Sequence, residues 1–270
     1  MQKIDKQLVC RQFRRAAASY DRQATIQHRV ADRLLTMTAR YMPQRPLRVL
    51  EIGCCTGLLT KKILKNSKIN ISSLVLNDLI PDFAKQLPKD IYQSYQLIDK
   101  ISDNPFDKLS FLPGDIEQLS LPGSFDLIIS SSTLHWLDDL QQTLTKLLDA
   151  LRPQGILAFS LYGPDNLPEI KELTGVSLHY LSLHEIASIL EKQGLLLESF
   201  QEKEVFLFST PWNVLQHLRQ TGVNAIHRTP WTRKELRTFC QEYSKQFSMT
   251  SVDQAVRLTY HPLYFVARPS

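Results

Sequence analysis

The sequence predicts an α/β fold: a doubly wound, mostly parallel seven-stranded sheet, with helices ahead of it and a helical lid late in the chain. Three observations predict it. Short apolar runs (RVLEIG, SLVLND, KLSFLPGD, FDLIISSS, GILAFSLY) read as buried strands. Helical patterns separate them, which implies right-handed crossovers between parallel strands. After Gly163 the alternation gives way to helices and two further strand-like stretches.

The first forty residues read as two helices, with Leu8, Phe13, Ala16 and Ala17 near helical spacing in one, and Ile26, Val30, Leu34, Leu35 and Met37 in the other. The prolines of MPQRP stop the second helix. RVLEIG is the first strand, CCTGLLTKKILKN a turn and helix, SLVLND the second strand and PDFAKQL a short helix opened by proline. Residues 88–107 have weak periodicity and read as an insertion or irregular loop. KLSFLPGD and FDLIISSS are strands, DDLQQTLTKLLDALRPQG a helix with aspartates at its positive end, and GILAFSLY the fifth strand. SLHEIASILEKQG, PWNVLQHLRQTG and TRKELRTFCQEYSKQF read as helices, and LLLESFQEKEVFLFS and VRLTYHPLYFVAR as one strand each. Along the chain this divides into an N-terminal helical lid and docking segment (1–42), a cofactor-binding core (43–163), and the rest of the sheet with an inserted substrate lid (164–270), all in one domain.

The chain has 270 residues, 43% hydrophobic and 22% charged, ordinary values for a globular protein. No apolar run approaches the roughly 20 residues needed to cross a bilayer, and the N-terminus lacks a signal-peptide pattern, so a cytoplasmic location without a membrane partner is expected. Cys10, Cys54, Cys55 and Cys240 form no C-x-x-C pair, and His179 and His184 lack a ligand pattern, so no metal is expected. The net charge of +5 is uneven: Arg11, Arg14, Arg15, Arg22, Arg29 and Arg33 face only Asp21 and Asp32 in their segment. Such a run is either a solvated helix face or a docking surface for an acidic partner.

In a doubly wound sheet, ligands bind beyond the carboxyl ends of the strands at the switch point. The loop there reads Glu51-Ile52-Gly53-Cys54-Cys55-Thr56-Gly57. Glycines let a ligand approach the main chain, and Glu51 can accept a hydrogen bond from a cationic amine. Asp78 ends the second strand, where a carboxylate can accept both hydroxyls of an adenosine ribose. Asp115, in Gly114-Asp115-Ile116 after the third strand, can hold the adenine amine. A dinucleotide site would need G-x-G-x-x-G, and a P-loop nucleotide site would need G-K-[ST]; neither motif occurs. An N-P-P-Y motif and a separate RNA-binding module are also missing, so no nucleic-acid partner is expected.

The loop resembles the first motif of the class I, Rossmann-like methyltransferases, with Cys55 in the place of its middle glycine. Asp78 and Gly114-Asp115-Ile116 resemble the second and third motifs, and Phe125-Asp126-Leu127-Ile128 with Ser130, then Leu151-Arg152-Pro153-x-Gly155, the later ones. The resemblance implies S-adenosylmethionine, held by Glu51, Gly53, Gly57, Asp78, Asp115, Ile116 and Ser130. More narrowly, Phe13-x-x-Ala16-Ala17-x-x-Tyr20-Asp21 with Gln27, Ser130-Ser131-x-x-Leu134-His135-Trp136, Leu218-Arg219-x-x-Gly222 and Leu258-Thr259-Tyr260-His261 are similar to the malonyl-acyl-carrier-protein O-methyltransferases of biotin synthesis. That resemblance spans nearly the whole chain. It implies methyl transfer to the free carboxylate of a malonyl thioester on acyl carrier protein, the partner.

The same resemblance puts Tyr20, His135 and Arg219 at the malonyl end, with Arg219 gripping one carboxylate oxygen; the alternative for Arg219 is a helix C-terminal cation. Trp136 reads as packing, Trp212 and Trp231 as lid residues or core, and His227-Arg228 as solvated or as a phosphate contact. Two other readings remain open: a methyltransferase of this fold acting on another small carboxylate or a protein arginine, and a non-catalytic cofactor-binding assembly factor.

Overall fold

The computed structural model describes residues 3–87, 108–223, 231–249 and 255–270. The irregular segment expected at 88–107 and the His227-Arg228 pair lie outside the described residues. The chain forms two compact units. A sheet unit comprises residues 25–161, 182–200 and 263–270; a ribbon unit comprises residues 1–24, 162–181 and 201–262. The two N-terminal helices, adjacent in sequence, belong to different units.

The sheet unit holds α2 (Thr25–Thr38), β1 (Leu47–Ile52), α3 (Leu58–Lys65), β2 (Ile71–Asp78), α4 (Phe83–Gln86), β3 (Leu109–Pro113), β4 (Phe125–Ser131), α5 (Leu140–Asp149), most of β5 (Leu151–Tyr162), α7 (Leu183–Glu191), and most of β6 (Gly194–Gln201) and β9 (Pro262–Pro269). Its seven strands run in the order β3-β2-β1-β4-β5-β9-β6. The pairs β1–β2, β2–β3, β1–β4 and β4–β5 are all parallel. The chain therefore winds outward from β1 in one direction and returns to start β4 on its other side, which makes the carboxyl end of β1 the switch point. Central strands are apolar on both faces because helices cover both: Val49, Leu50, Leu74, Val75, Leu127, Ile128, Ile156 and Leu157 are fully buried. The register aligns Ile52 with Asn77 and with Ser130, and Asp78 with Pro113, so four strands end together on one edge.

The opposite edge is fastened by charge. Buried Asp126, at the start of β4, accepts from the Arg48 amide (2.7 Å) and pairs with Arg45 (2.7 Å) and Arg152 (3.3 Å). Burial alone would raise its pKa; those partners outweigh burial and hold it below the ordinary value.

The ribbon unit holds α1 (Lys6–Gln23), α6 (Pro168–Thr174), β7 (Glu204–Phe208), α8 (Pro211–Gln220), α9 (Arg233–Phe247) and β8 (Val256–Tyr260). β7 and β8 form an antiparallel two-stranded sheet in which Phe206 faces Leu258. Three helices start at side-chain caps: Asp5 accepts from the Leu8 amide (2.9 Å), Thr210 from Asn213 (3.2 Å) and Thr232 from Glu235 (3.2 Å). α1 packs on α8, where the Phe13 ring lies 3.0 Å from the position a Cβ on Gly222 would take.

Four elements differ from the sequence reading. The helix expected to run through Leu151-Arg152-Pro153 stops at Asp149, because Leu151 already pairs with Phe125 and proline cannot continue a helix. LLLESFQEKEVFLFS is two strands, β6 and β7, in different sheets. VRLTYHPLYFVAR is also two, β8 and β9, divided at His261 ahead of Pro262. The short α6, begun by Pro168 and ended by left-handed Gly175 (φ 68°), was not anticipated.

Candidate active site

Three residues of the β1 loop adopt left-handed backbone: Gly53 (φ 72°), Cys55 (φ 48°) and Gly57 (φ 83°). The conformation is imposed from outside. The amides of Gly53 and Cys54 both donate to the Asn77 carbonyl (2.8 and 3.0 Å), and the Cys55 amide donates to Asp78 Oδ2 (2.8 Å). Gly53 has a second constraint, since a Cβ there would sit 2.2 Å from Thr133 Oγ1. Cys55 keeps its Cβ in a region that costs an L-residue on the order of 1 kcal/mol.

Glu51, 1% exposed, lies under this loop. Its Oε2 accepts from the Thr60 hydroxyl (2.7 Å); its Oε1 is buried and has no hydrogen-bond partner among the described residues. Burial, with the nearby Asp78 charge, raises its pKa to about 8 against the hydrogen bond from Thr60. Asp78 is also buried, but its two oxygens accept from the amides of Ile80 and Cys55, both at 2.8 Å. Burial raises its pKa to about 6, and those amides limit the rise.

The loop after β3 is braced from three sides. Gly114 donates to the Asp78 carbonyl (2.9 Å), and the Asn77 side chain donates to the carbonyls of Leu112 (2.8 Å) and Gly114 (3.0 Å). Half-buried Asp115 turns the chain by accepting from the Glu117 amide (3.0 Å). Lys146 of α5 donates to the carbonyls of Ile116 and Leu119, and Glu117 accepts from the amides of Asp138 and Asp139 at the start of α5. Ser130 is fully buried, and its hydroxyl donates to the Ile52 carbonyl (3.0 Å), tying β4 to β1. His135 lies on a single 3₁₀ turn (Leu134–Trp136) with its ring 5.1 Å from Trp136. Burial lowers its pKa to about 3, so the imidazole is neutral at pH 7.

A methyltransferase-domain family model matches residues 50–159, the stretch that contains this edge. The chain is 36% identical to a malonyl-acyl-carrier-protein O-methyltransferase of Calditerrivibrio nitroreducens, over 94% of this chain and 93% of that one. It is 38% identical to the one of Chlorobium phaeovibrioides, over 98% and 96%. The chain belongs to the malonyl-acyl-carrier-protein O-methyltransferase family. The YcgJ protein of Bacillus subtilis shares the fold at 14% identity, with a TM-score of 0.59 over 88% of this chain and 99% of that one.

Within this methyltransferase, the sheet unit gathers Glu51, Gly53, Gly57, Asp78, Asp115, Ile116, Ser130 and His135 at the carboxyl ends of β1 to β4. Tyr20 and Arg219 belong to the ribbon unit and lie outside the matched span. Tyr20 is buried on α1 with its ring 6.3 Å from that of Phe13. Arg219 is exposed in the last turn of α8. The buried histidine of that helix is His217, whose Nε2 pairs with the Tyr260 hydroxyl at 2.8 Å. Trp212 is 53% exposed, and Trp231 packs on Phe239 with ring centroids 4.8 Å apart.

Sequence reasoning missed Asn77, Thr133, Glu117 and Lys146, which shape the loops without belonging to a ligand motif. Asn77 had a signal, an amide beside Asp78 at a strand end. Lys146 had none; it reads as one lysine on an amphipathic helix.

Proposed function

We propose that the protein transfers a methyl group from S-adenosylmethionine to the free carboxylate of a malonyl group held as a thioester on acyl carrier protein. The observation that carries the cofactor is Glu51 Oε1, a buried carboxylate oxygen with no partner among the described residues, at the switch point of the sheet. Such a group is costly unless a donor, best a cation, meets it. The cofactor's ammonium is such a donor. Asp78 and Asp115 would take the ribose and adenine, and the left-handed loop would leave main chain open to the ligand. When bound, the cofactor supplies an electrophilic methyl group on a sulfonium.

The substrate assignment rests on the relatives, which carry this activity in their names over nearly the whole chain. The chemistry asks little of the protein. A carboxylate is ionised at neutral pH, so no side chain must remove a proton. Residues at the site must orient one oxygen and exclude water, and placement alone can remove several kcal/mol of barrier. Neutral His135 can donate one hydrogen bond to the malonyl carboxylate without masking it in a tight ion pair. Tyr20 carries over from the resemblance as a substrate contact, with Tyr20→Phe as its test. The reaction belongs in the cytoplasm, where the carrier protein is made and loaded; no described helix is long and apolar enough to cross a membrane.

Methyl transfer from labelled cofactor to malonyl-carrier protein, with succinyl-carrier protein and an arginine-containing protein as alternative acceptors, tests the reading. Base-labile label on the malonyl carrier alone is expected. Label on the arginine acceptor, or on none with the cofactor bound, would replace it with the protein-methylating or the non-catalytic reading.

A further inference from the structure

The ribbon unit carries a cationic surface that the chemistry above does not use. On α1, Arg11, Arg15, Ser19 and Arg22 stand four, four and three residues apart, so they share one stripe. The three arginines are exposed. Ser19 marks where the stripe meets α8: its hydroxyl is shared between the Ala16 carbonyl (3.0 Å) and the Gln220 carbonyl (3.2 Å). Gly222, two residues on, lets the Phe13 ring close on the backbone. Arg219, next to Gln220, is exposed at the same crossing. The neighbours of Ser19 on its stripe, Arg15 and Arg22, therefore border the helix end that bears Arg219.

Within α1 one acidic residue, Asp21, stands against these arginines, and it lies off their stripe. Like charges four residues apart weaken a helix, as do unscreened neighbours across a crossing. An anionic partner turns that repulsion into attraction, and exposed guanidinium groups make paired hydrogen bonds to carboxylates and phosphodiesters.

We infer that the α1–α8 crossing is the docking surface for an acidic acyl carrier protein, with Arg15, Arg22 and Arg219 as its anion contacts. This rests on the carrier-bound substrate proposed above and deepens it by naming where the carrier is held. Arg219 then acts on the carrier and not on the malonyl carboxylate. Helix-end cations at Arg22 and Arg219 also suit the helix dipoles, but Arg15, in mid-helix, has no such role.

The test compares malonyl-carrier protein with malonyl-coenzyme A as acceptors for Arg15→Glu, Arg22→Gln, Arg219→Gln and the triple variant, alongside fluorescence anisotropy of labelled holo-carrier. Each single change is expected to raise KM for the carrier substrate and weaken holo-carrier binding about two- to fivefold, and the triple more than roughly tenfold. For the carrier substrate at saturation kcat holds, and malonyl-coenzyme A kinetics, cofactor affinity and Tm do not move. Added salt should raise the wild-type KM for the carrier and leave that of the triple variant nearly flat, because exposed charges are screened beyond about 10 Å at 0.1 M. Equal losses on both acceptors would overturn the surface and return Arg219 to the malonyl end. Tighter binding of a DNA duplex than of the carrier, lost in the same variants, would also overturn it. Wild-type activity on the carrier with unchanged affinity in the triple variant overturns the surface alone. A wild type that neither binds nor methylates the carrier overturns the surface and the reaction together.

Discussion

The two units differ in how completely their buried polar groups are matched. In the ribbon unit they are matched to partners. Glu169, 1% exposed, accepts from the Thr259 hydroxyl (2.6 Å) and amide (3.1 Å) and pairs with Arg257. His217 meets Tyr260, Tyr243 donates to the Arg257 carbonyl, and Asn166 bonds both Tyr180 and the His261 amide. In the sheet unit, Gln27 Oε1, Glu51 Oε1, Ser110 Oγ, Gln193 Oε1 and Arg268 Nε are buried with no hydrogen bond among the described residues, and only Glu51 is an acid. A satisfied network specifies a packing arrangement. An unsatisfied acid is a cost held in reserve for a ligand. The difference fits structural work for the buried polar groups of one unit and the proposed cofactor contact of Glu51 in the other, while the docking proposed for the ribbon unit rests on its exposed arginines.

The largest test of this contrast is Glu51→Gln. Loss of a charged hydrogen bond worth about 1.5–3 kcal/mol should weaken cofactor binding roughly 10- to 150-fold by calorimetry. Stability of the unliganded protein should move the other way. The pKa of Glu51 rises from 4.5 to about 8 on folding, so between those values the folded chain holds a proton that the unfolded chain has released. Wild-type stability therefore declines as pH rises through that window, and the advantage of the glutamine variant grows until about pH 8 and then levels. The same titration makes wild-type binding release protons near neutrality, visible as a buffer-dependent binding enthalpy. A variant with full affinity and no gain in stability would erase the distinction between the units.

Tyr260→Phe should show the opposite signature. It strands His217 Nε2 in the interior, at a cost of about 1–3 kcal/mol in denaturant unfolding, with cofactor affinity unchanged. His217 also gives this unit a pH dependence of its own sign. Burial lowers its pKa from 6.5 to about 4, so the unfolded chain binds the extra proton and stability falls as pH drops through that range. A change in cofactor affinity would show that the ribbon unit's internal network takes part in binding.

The smallest expected effect is that of Cys55→Gly. Removing a Cβ from left-handed backbone should stabilise the protein by about 1 kcal/mol, partly offset by the greater freedom of glycine when unfolded, with turnover kept. Loss of turnover in a folded variant would assign the thiol a role that loop geometry does not.

Much of the candidate site was legible because it is local. A glycine-bearing loop after an apolar strand and acids at successive strand ends follow from chain order alone, and the register confirms that Ile52, Asn77 and Ser130 reach the same edge. Cys55 in a glycine slot was visible too; its φ of 48° shows that the loop keeps its shape and the side chain adapts.

The sequence by itself determined the strand-helix alternation, the glycine-bearing loop after β1 and the family. Its reach ended where neighbours in space are far apart in the chain. Two strand-like runs were each a pair, because β-propensity is alike on both sides of His261 and of Glu202-Lys203, and only pairing decides which sheet takes which half. Arg219 read as a substrate contact with a helix end as the alternative, and only the packed chain shows His217 of the same helix inside and Arg219 in solvent. Lys146 became a brace for the Ile116 loop only once α5 had packed beside it. Glu51 could be named from its motif, but that one of its oxygens has no partner among the described residues depends on everything folded around it.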